Sequence, residues 1–271
     1  MADTFDLELK LLLEAIFHKY HYDFRGYSVA SIRRRLEQAI SAFGCKTLSG
    51  LQERVLYDAG MFTALLRFLT VQVTDMFRDP SYFRAFRERV VPVLRTYPSL
   101  KLWVAGCATG EEPYSFGIIL REEGLLDRSI IYATDINSES LEKAREGVYP
   151  LDRIAAFSEL HQRTGSSHSL SEHYTAAYGA AVMDRTLRSH VVFSDHSLAT
   201  DNVFAEVQVI SCRNVLIYFD KTLQDRATTL FRDSLCRKGF LGLGSKESLR
   251  FSANSADFSE FVREERWYQK Q

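Results

Sequence analysis

The chain changes its hydrophobic period once, and that change limits the folds open to it. From Phe5 to about Phe86 apolar residues recur at helical spacing. Leu9, Leu12, Leu13, Ile16 and Phe17 form one stripe, Ile32, Leu36, Ala39, Ile40 and Phe43 a second, and Leu65, Leu66, Phe68 and Leu69 a third. From Leu100 onward the pattern alternates. Short runs rich in β-branched and aromatic residues stand at Lys101–Ala105, Ile130–Ala133, Val191–Phe193, Val207–Ser211 and Phe240–Leu243. Helical stretches at about Tyr114–Glu123, Ser138–Glu146 and Lys221–Cys236 separate several of them. Strand–helix alternation predicts an α/β fold, a parallel sheet covered by helices, behind a small all-helical domain. Pro92 and Pro98 punctuate the join. The expected division is a helical domain over 1–90, a linker over 91–98 and an α/β domain over 99–271. Residues from about 150 to 190 break the alternation and read as an inserted subdomain of helix and loop character.

Composition excludes several classes. Lys+Arg is 34 and Asp+Glu 35, so the net charge is −1 and no global basic surface is available for nucleic acid. No apolar run approaches the roughly 20 residues of a membrane span. The acidic start MADTFDLELK lacks the basic and apolar regions of a secretory signal, so the expectation is a cytoplasmic protein without membrane insertion. Cys45, Cys107, Cys212 and Cys236 form no C-x-x-C pair and stand beside no histidines at ligand spacing. Buried free thiols in a reducing compartment are expected, and no metal site.

The first predicted strand ends in Ala105-Gly106-Cys107-Ala108-Thr109-Gly110-Glu111-Glu112-Pro113, and a helix follows. Such a turn is where α/β folds bind nucleotide-like ligands. The spacing fits neither the dinucleotide fingerprint nor a phosphate-binding P-loop. Glu111 and Glu112 would repel a pyrophosphate. They favour S-adenosylmethionine, which carries a sulfonium and an ammonium and no phosphate. The plainer alternative is that both acids only complement the helix dipole. The second strand ends in Asp135, about 25 residues after Gly110. An acid there can accept hydrogen bonds from ribose hydroxyls, or serve as a helix cap. A later buried strand runs from Val209 straight into Arg213-Asn214 and closes on Tyr218-Phe219. Polar groups at that strand end point into the ligand crevice, unless Arg213 merely pairs with an acid.

The blocks CRNVLIYF, GCATGEEPYSFGIIL, YATDINSESLEKAREGVY and VTDMFRDPSYF together resemble the CheR family, the chemotaxis-receptor glutamate methyltransferases. The resemblance runs in order from about Ser31 to Glu247. It implies a Rossmann-like S-adenosylmethionine-dependent methyltransferase domain preceded by a helical domain. It implies that receptor glutamates become methyl esters during sensory adaptation, with S-adenosylhomocysteine as co-product. By position, Thr74 and Arg78 match residues that reach the cofactor from the interdomain segment. Glu112, beside Glu111, matches the glutamate of the glycine loop. Asp135 matches the ribose-binding acid, Arg213 and Asn214 the contacts after the strand, and Tyr218 the tyrosine near the methyl group. Gln72 stands where the family usually has Asn. Ser197, followed by Leu198, stands where it often has Asn. Gly244-Ser245-Lys246-Glu247-Ser248 replaces a Gly-His-Ser-Glu block. On this reading Gln72, Thr74, Arg78, Glu111, Glu112, Asp135, Ser197, Leu198, Arg213 and Asn214 hold the cofactor. Arg78 orients the incoming carboxylate or the cofactor edge, and Tyr218 positions the nucleophile.

Arg33, Arg34 and Arg35 form a basic stripe in the helical domain. With the resemblance, they are expected to dock on a glutamate-rich helical bundle of the chemoreceptor cytoplasmic domain. A solvated helix face is the plain alternative. RNA is disfavoured because aromatic platforms do not interleave with the basic residues. In the family a small inserted β-subdomain can hold a tethering peptide from the receptor C-terminus. The stretch Tyr174–His190 is short and reads as lacking a glycine-containing hairpin, so recognition without a tether peptide is expected. The alternatives are a catalytically silent scaffold that binds the cofactor, and a methyltransferase acting on another substrate.

Overall fold

The computed structural model describes residues 3–271. Four helices open the chain: α1 (Thr4–Tyr20), α2 (Val29–Ala42), α3 (Leu48–Tyr57) and α4 (Ala59–Leu69). Thr47 and Asp58 accept from the backbone N–H groups of Gly50 and Gly60 and so cap α3 and α4. The apolar stripes close on one another, with Leu12, Ile16, Leu36, Leu51 and Leu65 buried in a core of their own.

The division between domains falls earlier than the sequence pattern suggests. Helices α5 (Pro80–Ala85) and α6 (Val91–Leu94), joined through a π-turn over Phe86–Val90, belong to the second domain. Their Tyr82, Phe83, Phe86, Val90 and Leu94 share a core with Leu102, Phe116 and Trp267. The boundary therefore lies in the irregular segment 70–79, not at 91–98. A helical period reports that a face is buried but not which core buries it.

The second domain is built on a seven-stranded sheet in the order β6-β2-β1-β7-β8-β10-β9. The strands are β1 (Leu100–Ala105), β2 (Ser129–Asp135), β6 (Val191–Asp195), β7 (Val207–Cys212), β8 (Leu235–Leu243), β9 (Phe258–Val262) and β10 (Trp267–Lys270). The first five are the predicted runs, and they pair in parallel. β10 and β9 extend the sheet antiparallel beyond them. Helices α7 (Glu111–Glu122), α8 (Ser138–Glu146) and α11 (Lys221–Ser234) lie at the predicted stretches. β1 is followed in sequence by β2 on one side of it and flanked by β7 on the other. The chain thus reverses direction beside β1, which opens a crevice at the carboxyl ends of these strands.

The insertion holds α9 (Leu151–Arg163) and α10 (Arg185–Ser189) and also a small sheet that was not expected. Its strands are β3 (Val148–Pro150), β4 (Tyr174–Ala177) and β5 (Ala180–Met183), in the order β3-β5-β4. β4 and β5 form a hairpin whose tip is Tyr178-Gly179, with φ of 50° and 78°. Two successive positive φ angles make the tight turn that matches strand twist. This glycine-containing hairpin removes the ground on which tether-free recognition was expected. Alanines supply half of both strands, and alanine carries little strand signal.

Candidate active site

The crevice is a cleft of about 320 Å³ between the two domains, within the range of small-molecule sites. Its floor is built from strand ends. Gly106 and Cys107 both donate to the Thr134 carbonyl, at 2.8 and 2.9 Å, which folds the loop back over β2. A Cβ on Gly106 would lie 2.4 Å from Val215 Cγ2, so the close approach of the two loops requires glycine. Asp135 ends β2 inside the cleft. It accepts from Ala108 N and Asn137 N, each at 2.9 Å, and meets no cation. Burial pushes its carboxyl above the ordinary value, and the backbone donors oppose that shift. It is not the helix cap. Asn137 caps α8.

The two glutamates of the loop part company. Glu112 faces the cleft, accepting from Ser211 Oγ at 2.6 Å and from Arg213 Nη1 at 3.0 Å. Arg213 also donates to Asp79 Oδ2 at 2.6 Å and the Arg78 carbonyl at 2.7 Å, and its guanidinium stacks 4.1 Å from the Tyr82 ring. Glu111 does not line the cleft, contrary to expectation. It is fully buried on the far side, bonded to Thr109 Oγ1 at 2.6 Å and Arg153 Nη1 at 2.9 Å. Neighbours on a helix point about 100° apart, so only one of the pair can face a ligand. Arg153, from α9, also donates to the Thr74 carbonyl and Asp75 Oδ1. It ties the insertion to the segment that roofs the cleft. No local motif marks Arg153 for this.

The roof comes from the helical domain and the segment after it. Gln72, Thr74 and Arg78 all line the cleft. Gln72 accepts from Ser140 Oγ, so its amide oxygen is used within the protein. Arg78 makes only a 3.5 Å contact to the Val73 carbonyl. Ser197 and Leu198 line the cleft opposite, but the Ser197 hydroxyl already accepts from Ala199 N. Asn214, at φ 60°, and Tyr218 complete the wall, and neither side chain makes a hydrogen bond among the described residues. Tyr27, Ile136, His196 and Phe219 add an apolar and aromatic wall that residue-type reasoning missed.

The basic stripe does not form one face. Arg33 is paired with Asp3 and Asp6. Arg34 projects into solvent. Arg35 is turned into the cleft and is 4% exposed. It donates to the Leu69 carbonyl at 2.6 Å and lies 4.4 Å from the Tyr218 ring centre. Its Nη2 is buried with no partner. Burial lowers its pKa, since no carboxylate lies within ion-pair distance. Arg35 therefore cannot belong to an exposed docking stripe.

The helical domain grips both lips of the cleft. On one lip Ser28 N donates to the Tyr218 carbonyl and Asp220 N to the Gly26 carbonyl, each at 2.8 Å. On the other, Asn137 donates to Thr70 Oγ1 at 2.9 Å and Arg67 pairs with Glu139 at 2.6 Å.

Away from the cleft, Glu122, His161 and His173 bring three ligand-type atoms within 4.8 Å of one another. Glu122 Oε1 lies 2.8 and 3.0 Å from the two Nε2 atoms, while Oε2 is taken by Arg87 and Ser166. Neither Nδ1 has the outer partner that metal-bound imidazole normally has. The cluster is a hydrogen-bonded lock joining α7 to the insertion. Burial pushes the Glu122 carboxyl up, but bonds from His161, His173 and Arg87 outweigh it and hold the group well below the usual carboxylate range.

The groups in the cleft suit S-adenosylmethionine. Asp135 offers free acceptor capacity to a ribose, the aromatic wall suits a base, and Arg78 can meet the methionyl carboxylate. Comparison with known proteins gives the same answer. Residues 72–264 match the family model described as CheR methyltransferase, SAM binding domain, and residues 7–70 match CheR methyltransferase, all-alpha domain. Cher3 of Pseudomonas putida is 58% identical over 265 residues, covering 98% of this chain and 97% of its own. The chemotaxis protein methyltransferase of Salmonella typhimurium is 32% identical, covering 86% of this chain and 76% of its own. Among solved structures, N-methyltransferase NodS from Bradyrhizobium japonicum with S-adenosylhomocysteine covers 62% of each chain, at 14% identity and a TM-score of 0.35. No helix among the described residues is long and apolar enough to cross a membrane.

Proposed function

The chain belongs to the CheR methyltransferase family, and from that premise we propose that it is a protein-glutamate O-methyltransferase acting on the cytoplasmic helical bundle of a chemoreceptor. One observation carries the reading. Two guanidinium groups, Arg35 and Arg78, line the cleft without a carboxylate partner among the described residues. One cation is needed for the methionyl carboxylate of the cofactor. The other serves an anionic substrate.

Bound in the cleft, S-adenosylmethionine supplies a methyl group carried on a sulfonium. A substrate glutamate is already ionised at pH 7, so no general base is required. Transfer would join carboxylate oxygen to methyl carbon with loss of the carbon–sulfur bond, leaving an ester and a thioether without either charge. The protein's task is to orient and to exclude water. Arg35 fits the substrate role because it stands beside Tyr218, whose hydroxyl is free to position the carboxylate. Arg78, on the segment after the helical domain, then faces the cofactor. Asp135 accepts from the ribose, and Arg213 holds Glu112 in place. Arg34 is the member of the stripe left to meet an acidic bundle by steering.

The test is transfer of labelled methyl from S-adenosylmethionine to a purified receptor cytoplasmic fragment. The expected product is an ester, so mild alkali releases the label as methanol. Alkali-stable label would point to another acceptor atom. Absence of transfer to any chemoreceptor fragment, with S-adenosylhomocysteine still bound, would contradict the reading.

A further inference from the structure

Glu247 lies outside the cleft wall, yet it organises one side of it. It stands after β8 and is 4% exposed. Its Oε2 accepts from Gly244 N at 2.7 Å and Asn214 N at 2.9 Å. Its Oε1 accepts from Val215 N at 2.9 Å and Ile217 N at 3.3 Å. No cation pairs with it, so its charge is met only by backbone N–H groups, an arrangement that suits an anion.

Three of these donors, Asn214, Val215 and Ile217, belong to one loop with three duties. Asn214 lines the cleft in a left-handed conformation that favours glycine. Val215 packs against Gly106 of the cofactor loop. Ile217 precedes Tyr218, which lies under Arg35 and accepts from Ser28 of the helical domain. Only an acceptor with two oxygens can take all four N–H groups. A glutamine would turn an NH2 toward donors on one side. We propose that Glu247 is a positioning residue that holds the 214–218 loop in its cofactor-binding shape and acts on the cofactor through Asn214. The inference rests on the cleft being the cofactor site and needs no protein substrate.

The experiment is a double-mutant cycle read by calorimetric titration with S-adenosylhomocysteine. Glu247→Gln keeps the shape of the side chain. Asn214→Gly removes the amide while permitting the backbone angle. Each single change should weaken binding about tenfold. The double variant should bind no more weakly than the weaker single, because both changes remove one interaction. Asn254→Ala, which breaks a buried amide network at α11, should lower the melting temperature and leave affinity unchanged. Wild-type affinity in Glu247→Gln, or penalties that multiply in the double variant, would overturn the proposal. Should Glu247→Gln fail to fold, Gly244→Ala replaces it. A Cβ there would lie 2.6 Å from Glu247 Oε2 and dislodge the carboxylate. It should give the same loss and the same lack of multiplication, and wild-type affinity would again overturn the proposal. Failure of receptor methylation alone would leave this result standing.

Discussion

The floor and the roof of the cleft each contribute a buried arginine, and the two are treated in opposite ways. Arg213 on the floor meets two carboxylates, a carbonyl and an aromatic face. Arg35 in the roof meets one carbonyl and a ring, and one of its nitrogens is left without a partner. Arg213 also leaves one nitrogen, Nε, without a partner, but Glu112 and Asp79 neutralise its charge before any ligand arrives. The roof holds a desolvated cation whose missing partner is an anion. A site that must grip a zwitterionic cofactor and then accept a carboxylate needs both: a preorganised base and an unneutralised charge above it.

The largest expected effect breaks the floor. Arg213→Met should cost about 3–5 kcal/mol in denaturant unfolding, because Glu112 and Asp79 lose their shared cation. Arg35→Met should behave differently. It removes a burdened charge, so its unfolding midpoint should stay close to wild type while kcat/KM for receptor methylation falls roughly 100-fold. Equal loss of stability in both variants would erase the contrast.

Asp135 sharpens the comparison through pH. Burial holds its carboxyl above the ordinary value near 3.8. It therefore takes up a proton earlier on acidification than an exposed aspartate does. Ribose recognition uses the ionised acceptor, so S-adenosylhomocysteine affinity should fall as pH is lowered through that range. Asp135→Asn should weaken binding about tenfold at neutral pH and abolish this acid dependence. The smallest effect is expected at Tyr218→Phe, which should lower kcat about fivefold with cofactor affinity unchanged, the worth of one hydrogen bond.

The floor was far more legible in the sequence than the roof. Gly106, Asp135 and Arg213 sit at strand ends, where chain order alone puts residues into the crevice. Strand–helix alternation thus located both fold and floor. The choice between Glu111 and Glu112 needed the phase of α7, which a two-residue repeat of the same side chain cannot supply. Arg35 shows the same difficulty. In a run of three arginines, one pairs with acids, one faces water and one enters the cleft, and only packing decides which. Arg153 and Glu247 act through backbone groups far along the chain, and such contacts leave no local pattern. The inserted hairpin was hidden by its alanines.

The most direct test of the account is the affinity of Arg35→Met for S-adenosylhomocysteine, measured by calorimetry beside its rate of methyl transfer to a receptor fragment. The account predicts wild-type affinity with transfer reduced roughly 100-fold, because Arg35 receives the substrate and not the cofactor. Loss of cofactor affinity in step with transfer, or transfer that survives intact, would contradict it.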